Sequence, residues 1–340
     1  MPKRIGYVYD EMLSETFCER AILEAVKNKR MPHVQLNYKT YAKDLFETLK
    51  NGWVPKGTRH KVINEGTRQK TRELTIPCLE DHFVHTAVAM ILRRYLCPKF
   101  FFYASGSIPL KGQTFACKSL ERVLRKKKPK YCLLADVKKF YPSVKKRVVM
   151  KVLSRVFKDK RFLELNSQIL DQMGGRLAIG FTVSHWYAQL ILAYADRAIK
   201  ENSKRIYLIR FMDNFVILSS NKRKLRSAFQ RMGATLSRFG LTIKKDWQLF
   251  PIKSRMIEFL SYRFNHEKTV LRKGLMFKMS AFFRHVSGGL NAHLARIVMS
   301  YTGILRHCDS YRFRKSYLYK YVSINLCRRL ISNADKKRIL

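Results

Sequence analysis

Two carboxylates stand where apolar, β-favouring runs end. Tyr131 to Ala135 reads as a buried strand that delivers Asp136. In KRIYLIRFMDNFVIL, Lys204 to Leu218, one run carries Ile206, Leu208 and Phe211, a second runs from Phe215 to Leu218, and Asp213-Asn214 lies between them. Taken alone, Asp-Asn between strands is a hairpin connection, because both side chains bond their own backbone and tolerate turn geometry. Two acidic strand ends in one chain invite a metal instead. A hard divalent cation takes carboxylate oxygens and fills its remaining positions with water or substrate phosphate.

Other chemistries find less support. The seven cysteines are scattered, odd in number and without a CxxC pair, which argues against a disulfide framework and against a zinc site. His82 and His85 lie on one expected helix with no matching thiol or acidic cluster, so they read as core or surface histidines. The 69 Lys and Arg against 24 Asp and Glu give a net charge of +45, far beyond what solubility requires. Such a field attracts polyanions, nucleic acid above all. Anionic membrane is the rival partner, but no apolar run reaches the roughly 18 residues a span needs. The N-terminus MPKRIGYVYDEM has no apolar signal core, and a soluble, cytoplasmic protein is expected.

The elements that must hold the acids follow from periodicity. Amphipathic helices are expected over Glu11 to Lys29 and Tyr41 to Leu49, then a basic β-hairpin from Gly57 to Pro77 carrying Arg59, Lys61, Arg68, Lys70 and Arg72. Phe83, Val84, Ala87, Val88 and Ile91 line one face of a helix over Leu79 to Tyr95. The charge run Lys118 to Lys130 opens on a helix and leads into the Asp136 strand. It is either a solvated face or a positive wall beside the acidic site. Val148 to Met173 is expected to form one or two helices, and Ile179-Gly180 to end a short strand. Ser184 suits a helix N-cap, and Arg223 to Phe239 suits a basic helix stopping at Gly240. Leu241 to Ile243 and Ile257 to Phe264 are further β candidates, with helices from Lys278 onward. The expected class is α+β with the sheet in the middle.

Asp136 with Phe140-Tyr141, Ile179-Gly180 with Ser184, Phe211-Met212-Asp213-Asn214, Phe239-Gly240-Leu241 and Phe259-Leu260-Ser261-Tyr262 resemble the ordered blocks of a reverse transcriptase. The pattern is most similar to the bacterial group II intron-like branch, and within it to the enzymes of diversity-generating retroelements. The resemblance runs from about Lys56 to beyond Tyr311. It implies a right-hand polymerase: a basic helical lead-in over 1–54, fingers over 55–130, a palm of antiparallel sheet with helices over 131–264, and a helical thumb and tail over 265–340.

The same resemblance implies roles. Asp136 and Asp213, with Asn214 beside them, match the catalytic positions, Asp136 and Asp213 holding two Mg2+ ions, with Mn2+ as a possible substitute, roughly 3.5–4 Å apart. Lys70 and Arg72 match the cations that grip the incoming triphosphate, where Arg suits bidentate phosphate contact. Tyr141 matches the aromatic gate against a 2′-hydroxyl, its plain alternative being a core aromatic. Ile179 and Gly180 match positions beside the nascent pair, and Phe259, Leu260, Ser261 and Tyr262 the primer grip. Implied partners are an RNA template, a DNA or RNA primer, dNTPs and, in the retroelement branch, a small basic accessory protein, in a bacterial or phage-encoded setting without a membrane.

The chain departs from the pattern in places. Phe-Met-Asp-Asn stands for Tyr-x-Asp-Asp, so Asn214 replaces a carboxylate. Ile108, Ser261 and His185 replace the usual Arg, Gly and Gln. Ile179 stands where most reverse transcriptases carry Gln, an aliphatic choice shared with diversity-generating enzymes. Three functions are therefore weighed: error-prone cDNA synthesis in a retroelement, another bacterial reverse-transcriptase role such as phage defence or intron work, and a catalytically degenerate RNA-binding protein.

Overall fold

The computed structural model describes residues 4–65, 70–201 and 203–336, without the side chains of 64, 65, 70 and 336. Its strands in chain order are β1 (Thr58–Glu65), β2 (Lys70–Pro77), β3 (Ala104–Ser105), β4 (Tyr131–Asp136), β5 (Tyr207–Phe211), β6 (Asn214–Ser219), β7 (Gln248–Pro251), β8 (Ile257–Phe259), β9 (Tyr262–Phe264) and β10 (Thr269–Leu271). The central sheet has five strands in the order β3-β5-β6-β4-β7, antiparallel except where the short β3 joins β5. β4, with its run of Cys132, Leu133, Leu134 and Ala135, lies between β6 and β7. That explains why it is apolar on both faces, since helices cover the sheet on each side.

Successive β4 residues point to opposite faces. Leu133 and Ala135 pack into a core shared with the helices Ser184–Lys200 and Lys222–Ser237, whereas Cys132 packs with the helix Gln113–Lys127, β8, β9 and the C-terminal helices. Asp136 shares the parity of Cys132 and therefore its face. The N-terminal helices Glu15–Val26 and Tyr38–Asn51 bury Ile22, Leu45 and Leu49 in the first of these cores, beside Phe83 of the helix Leu79–Leu96.

Most helices and hairpins lie where periodicity puts them, the span Val148 to Met173 forming two helices, Lys146–Leu153 and Lys160–Gln172. Three local features differ. Leu241 to Ile243 forms no strand: an isolated bridge joins Ile243 to Val137, and the Lys138 N–H donates to the Thr242 carbonyl. Ile179-Gly180 is a turn rather than a strand end. Ser184 is the first helical residue, not the cap, and its hydroxyl donates to the Ala178 carbonyl at 2.7 Å. At these points tertiary contacts set the backbone.

Candidate active site

The register of β4 against β6 sets Asp136 opposite Asn214. Phe211 pairs with Asn214, so the hairpin turn is Met212-Asp213, and Asn214 opens β6 instead of completing the turn. Met212 takes the left-handed conformation, with φ of 51°, unusual for a side chain of its size. A buried network holds it there. The Arg210 guanidinium, fully buried, donates to both oxygens of Asp196 at 2.7 and 2.6 Å, to Gln189 Oε1 at 2.8 Å and to the Met212 carbonyl at 2.9 Å. Gln189 in turn donates to the carbonyls of Ser105 and Gly106 at 3.2 and 2.6 Å. Removing one partner of such a buried pair costs about 3–5 kcal/mol, because a charge is left uncompensated.

This geometry turns Asp213 toward Asp136. Burial first, and then the Asp136 charge, push the Asp213 carboxyl up to about 6, while Lys244 opposes the shift. Asp136 Oδ1 is buried with no hydrogen-bond partner, and Oδ2 accepts from the Lys244 ammonium. Bonding to that carboxylate raises the Lys244 pKa. An orphaned carboxylate oxygen beside a second, charge-strained carboxyl is the donor set a divalent cation relieves. Among the described residues no group of three or more His, Cys, Asp or Glu surrounds such an ion. Two carboxylates suit Mg2+, which keeps several waters and takes substrate phosphate as further ligands.

The β1–β2 hairpin comes to the same place. Its base is clamped by the buried Asp81 carboxylate, which accepts from Trp53 Nε1 at 3.0 Å, the Lys56 and Gly57 N–H groups and Gln172 Nε2 at 2.6 Å. Further along, the Thr75 N–H donates to the Ile179 carbonyl at 2.9 Å. Gly180 passes so close that a Cβ there would lie 2.2 Å from the Thr75 carbonyl oxygen, at a φ of 119° that side chains avoid. Only glycine satisfies both demands. Tyr141, on the short helix Phe140–Ser143, has its hydroxyl pushed up to about 12 by burial and the Asp213 charge, with Arg72 pulling the other way. Arg72, Tyr141 and Asp213 thus share one electrostatic neighbourhood. The side chain of Lys70 lies outside the described residues.

The last set stands apart on the β8–β9 hairpin. Phe259 and Tyr262 are core residues, with the Tyr262 hydroxyl on the Ile304 carbonyl at 3.0 Å. The turn itself presents the half-buried Leu260, at a φ of 54°, and Ser261, whose hydroxyl accepts from Gln113 Nε2 at 2.8 Å. The histidines assemble no site: burial pushes His82 and His185 down to about 4 and His85 to about 3.

The sequence model of the family described as reverse transcriptase (RNA-dependent DNA polymerase) matches residues 54–264, well over half of the chain. The chain belongs to that family. Its matched region holds Asp136, Asp213 and the whole five-stranded sheet. No curated protein matches this sequence. Among solved structures, apo telomerase from Candida tropicalis is similar at 14% identity and a TM-score of 0.51, covering 67% of this chain and 52% of that one. Telomerase from Candida albicans, in complex with a fragment of telomeric RNA, is similar at 12% identity and a TM-score of 0.51, covering 83% of this chain and 61% of that one. The chain thus spans between about half and three-fifths of those chains, and the likeness is one of fold: an α+β arrangement with a central sheet, consistent with the palm and fingers of a reverse transcriptase. Among the described residues no helix is long and apolar enough to cross a membrane.

Sequence reasoning missed Lys244 and the Arg210–Asp196–Gln189 network. The signal for the network was present as an Arg inside the apolar run YLIRF and an Asp inside the apolar helix YAQLILAYADRAI. Buried charges of opposite sign in apolar elements are almost always paired. Lys244 carried no such signal, being one cation among 69.

Proposed function

We propose that the protein copies RNA into DNA at the Asp136–Asp213 site. The observation that carries this reading is the orphaned Asp136 carboxylate oxygen facing the raised Asp213 carboxyl, at the junction of β4 and the β5–β6 turn. When bound, two Mg2+ ions would supply activation of the primer 3′-oxygen and charge neutralisation on the triphosphate. The chain's own residues do the rest. Asp136 and Asp213 hold the ions, and the Arg210 network fixes the turn on which Asp213 sits. Arg72 on β2 meets the triphosphate and Tyr141 packs under the sugar. The Ile179-Gly180 turn, bonded to Thr75, borders the nascent pair. Leu260 and Ser261 touch the primer, with the helices from Lys273 onward closing over the duplex as a thumb.

The finer role we infer is error-prone synthesis in a diversity-generating retroelement, supported by Ile179 in place of a polar side chain. A second reading, a catalytically degenerate RNA-binding protein, is favoured by Asn214 where relatives carry a carboxylate. Extension of oligo(dT) on poly(rA) with dTTP and Mg2+ separates the two. Incorporation supports the polymerase. Absence of incorporation in wild type, restored by Asn214→Asp, supports a degenerate site, and absence in both removes the polymerase reading.

A further inference from the structure

Behind the sheet, on the side away from Asp136, the helix Ser184–Lys200 borders an open pocket of about 830 Å3. Its floor is apolar, with Phe100, Leu190 and Ala193 buried. Its rim carries Arg4, Lys99, Arg155 and Arg197 and no carboxylate. Among the described residues none of these cations forms an ion pair with an acid. The guanidinium carbons of Arg155 and Arg197 lie 5.7 and 5.8 Å from the centre of the Tyr194 ring, within cation–π range, so the ring steadies both. One turn further along the helix, Lys200 opens a second pocket of about 740 Å3, lined also by Lys204, Arg205 and Lys224 and again by no carboxylate. Phe101, next to the Phe100 floor, lies under the Lys200 ammonium at 5.9 Å.

Cations at a helix C-terminus are ordinary, since they answer the macrodipole. That accounts for Arg197 and Lys200. It does not account for Arg4, Lys99 and Arg155, which arrive from three other segments to face the same space. Exposed like charges around one space repel one another only weakly through water, and a polyanion lying among them is attracted by all of them at once. An acidic protein surface would answer the rim cations one by one, whereas a chain of the reverse-transcriptase family with a net charge of +45 is built to meet nucleic acid, whose evenly spaced phosphates suit a run of cations from Arg155 to Lys200.

We propose that this track is a second binding site for a single-stranded nucleic acid, separate from the catalytic cleft, gripping phosphodiester groups through Arg155, Arg197 and Lys200. It holds a strand outside the cleft, and that binding does not require the cleft to copy RNA. RNA and DNA share this chemistry, and separate probes distinguish them. Labelled oligo(rU) and oligo(dT) are titrated in EDTA onto protein whose cleft is saturated with an unlabelled primer–template duplex, by fluorescence anisotropy. Wild type should still bind a strand, and the Arg155→Glu/Arg197→Glu double variant should bind about tenfold more weakly, with a log–log salt slope shallower by about 1.4, at about 0.7 per lost contact. The Lys39→Glu/Lys43→Glu variant, an equal change in charge at exposed sites on another helix, should bind as wild type does. In unaltered protein the strand should shield Arg155 and Arg197 from phenylglyoxal. Tighter oligo(rU) binding assigns the track to RNA, tighter oligo(dT) binding to the DNA strand. Complete displacement by the duplex, equal loss in both variants, or equal competition by poly-Glu would each overturn the proposal. Primer extension by the double variant is measured alongside, so loss of catalysis and loss of strand binding are read separately.

Discussion

Lys244 is joined to Asp136 twice: its backbone N–H donates to the Asp136 carbonyl at 2.8 Å, and its ammonium donates to the Asp136 carboxylate. The cation therefore stands where a metal would approach, on a segment docked against the end of β4. A Mg2+ ion bound at this carboxylate would compete with Lys244 for Oδ2.

Replacing Lys244 with Met should remove that competitor. Mg2+ affinity, followed by calorimetry with Asp136→Ala as the blank, should rise several-fold. The ion pair is partly exposed, so stability of the metal-free protein should change by no more than about 1 kcal/mol. Unchanged affinity would mean the ammonium swings aside at no cost.

Tyr141→Ala should open space beneath the sugar. Incorporation of ribonucleotides relative to deoxyribonucleotides, from single-nucleotide extension, should rise at least about tenfold, the equivalent of about 1.4 kcal/mol. A ratio that stays fixed would assign Tyr141 to the core alone.

The Ile179 side chain offers no donor or acceptor, so at the position proposed for it beside the nascent pair only shape would restrain the pair. Sequenced cDNA from wild type should carry frequent errors opposite template adenine, and Ile179→Gln should carry fewer. Equal spectra at comparable extension would remove the retroelement role while leaving the polymerase.

Acid should destabilise the protein through its buried imidazoles. Burial holds His85 down to about 3 and His82 to about 4, from an ordinary 6.5. The fold favours their neutral forms, so this stabilisation is complete above about pH 6.5 and is lost as pH falls toward those values. Asp213, raised to about 6, runs the other way: its contribution is present below its ordinary 3.8 and lost as pH rises through 6. His85 has neither ring nitrogen bonded and lies 5.6 Å from Trp53 and 5.1 Å from Phe181, so Phe is a suitable replacement. Urea midpoints of His85→Phe should fall less than those of wild type between about pH 7 and about pH 4.5. Parallel declines would place the acid loss elsewhere.

Much of this arrangement is legible in residue order. The run before Asp136 is apolar throughout because β4 is covered on both faces, and period alone reveals that. The hairpin carrying Asp213 is equally plain, yet its turn lies one residue earlier than Asp-Asn chemistry suggests. Arg210 bonds the Met212 carbonyl and draws Met212 into a left-handed turn. Ile179-Gly180 is likewise set by the Thr75 strand, a contact between segments far apart in the chain. Long-range bonds override local preference at these points, and local preference is all that a residue pattern records. Lys244 is the extreme case, since its role depends only on which carboxylate it meets.

The central claim is that Asp136 and Asp213 together form a polymerase site, and primer extension on poly(rA)/oligo(dT) with Mg2+ tests it most directly. Wild type should extend the primer, and Asp136→Ala and Asp213→Ala should each reduce extension to background while keeping the wild-type circular dichroism spectrum. Near wild-type extension by either folded variant would contradict the account.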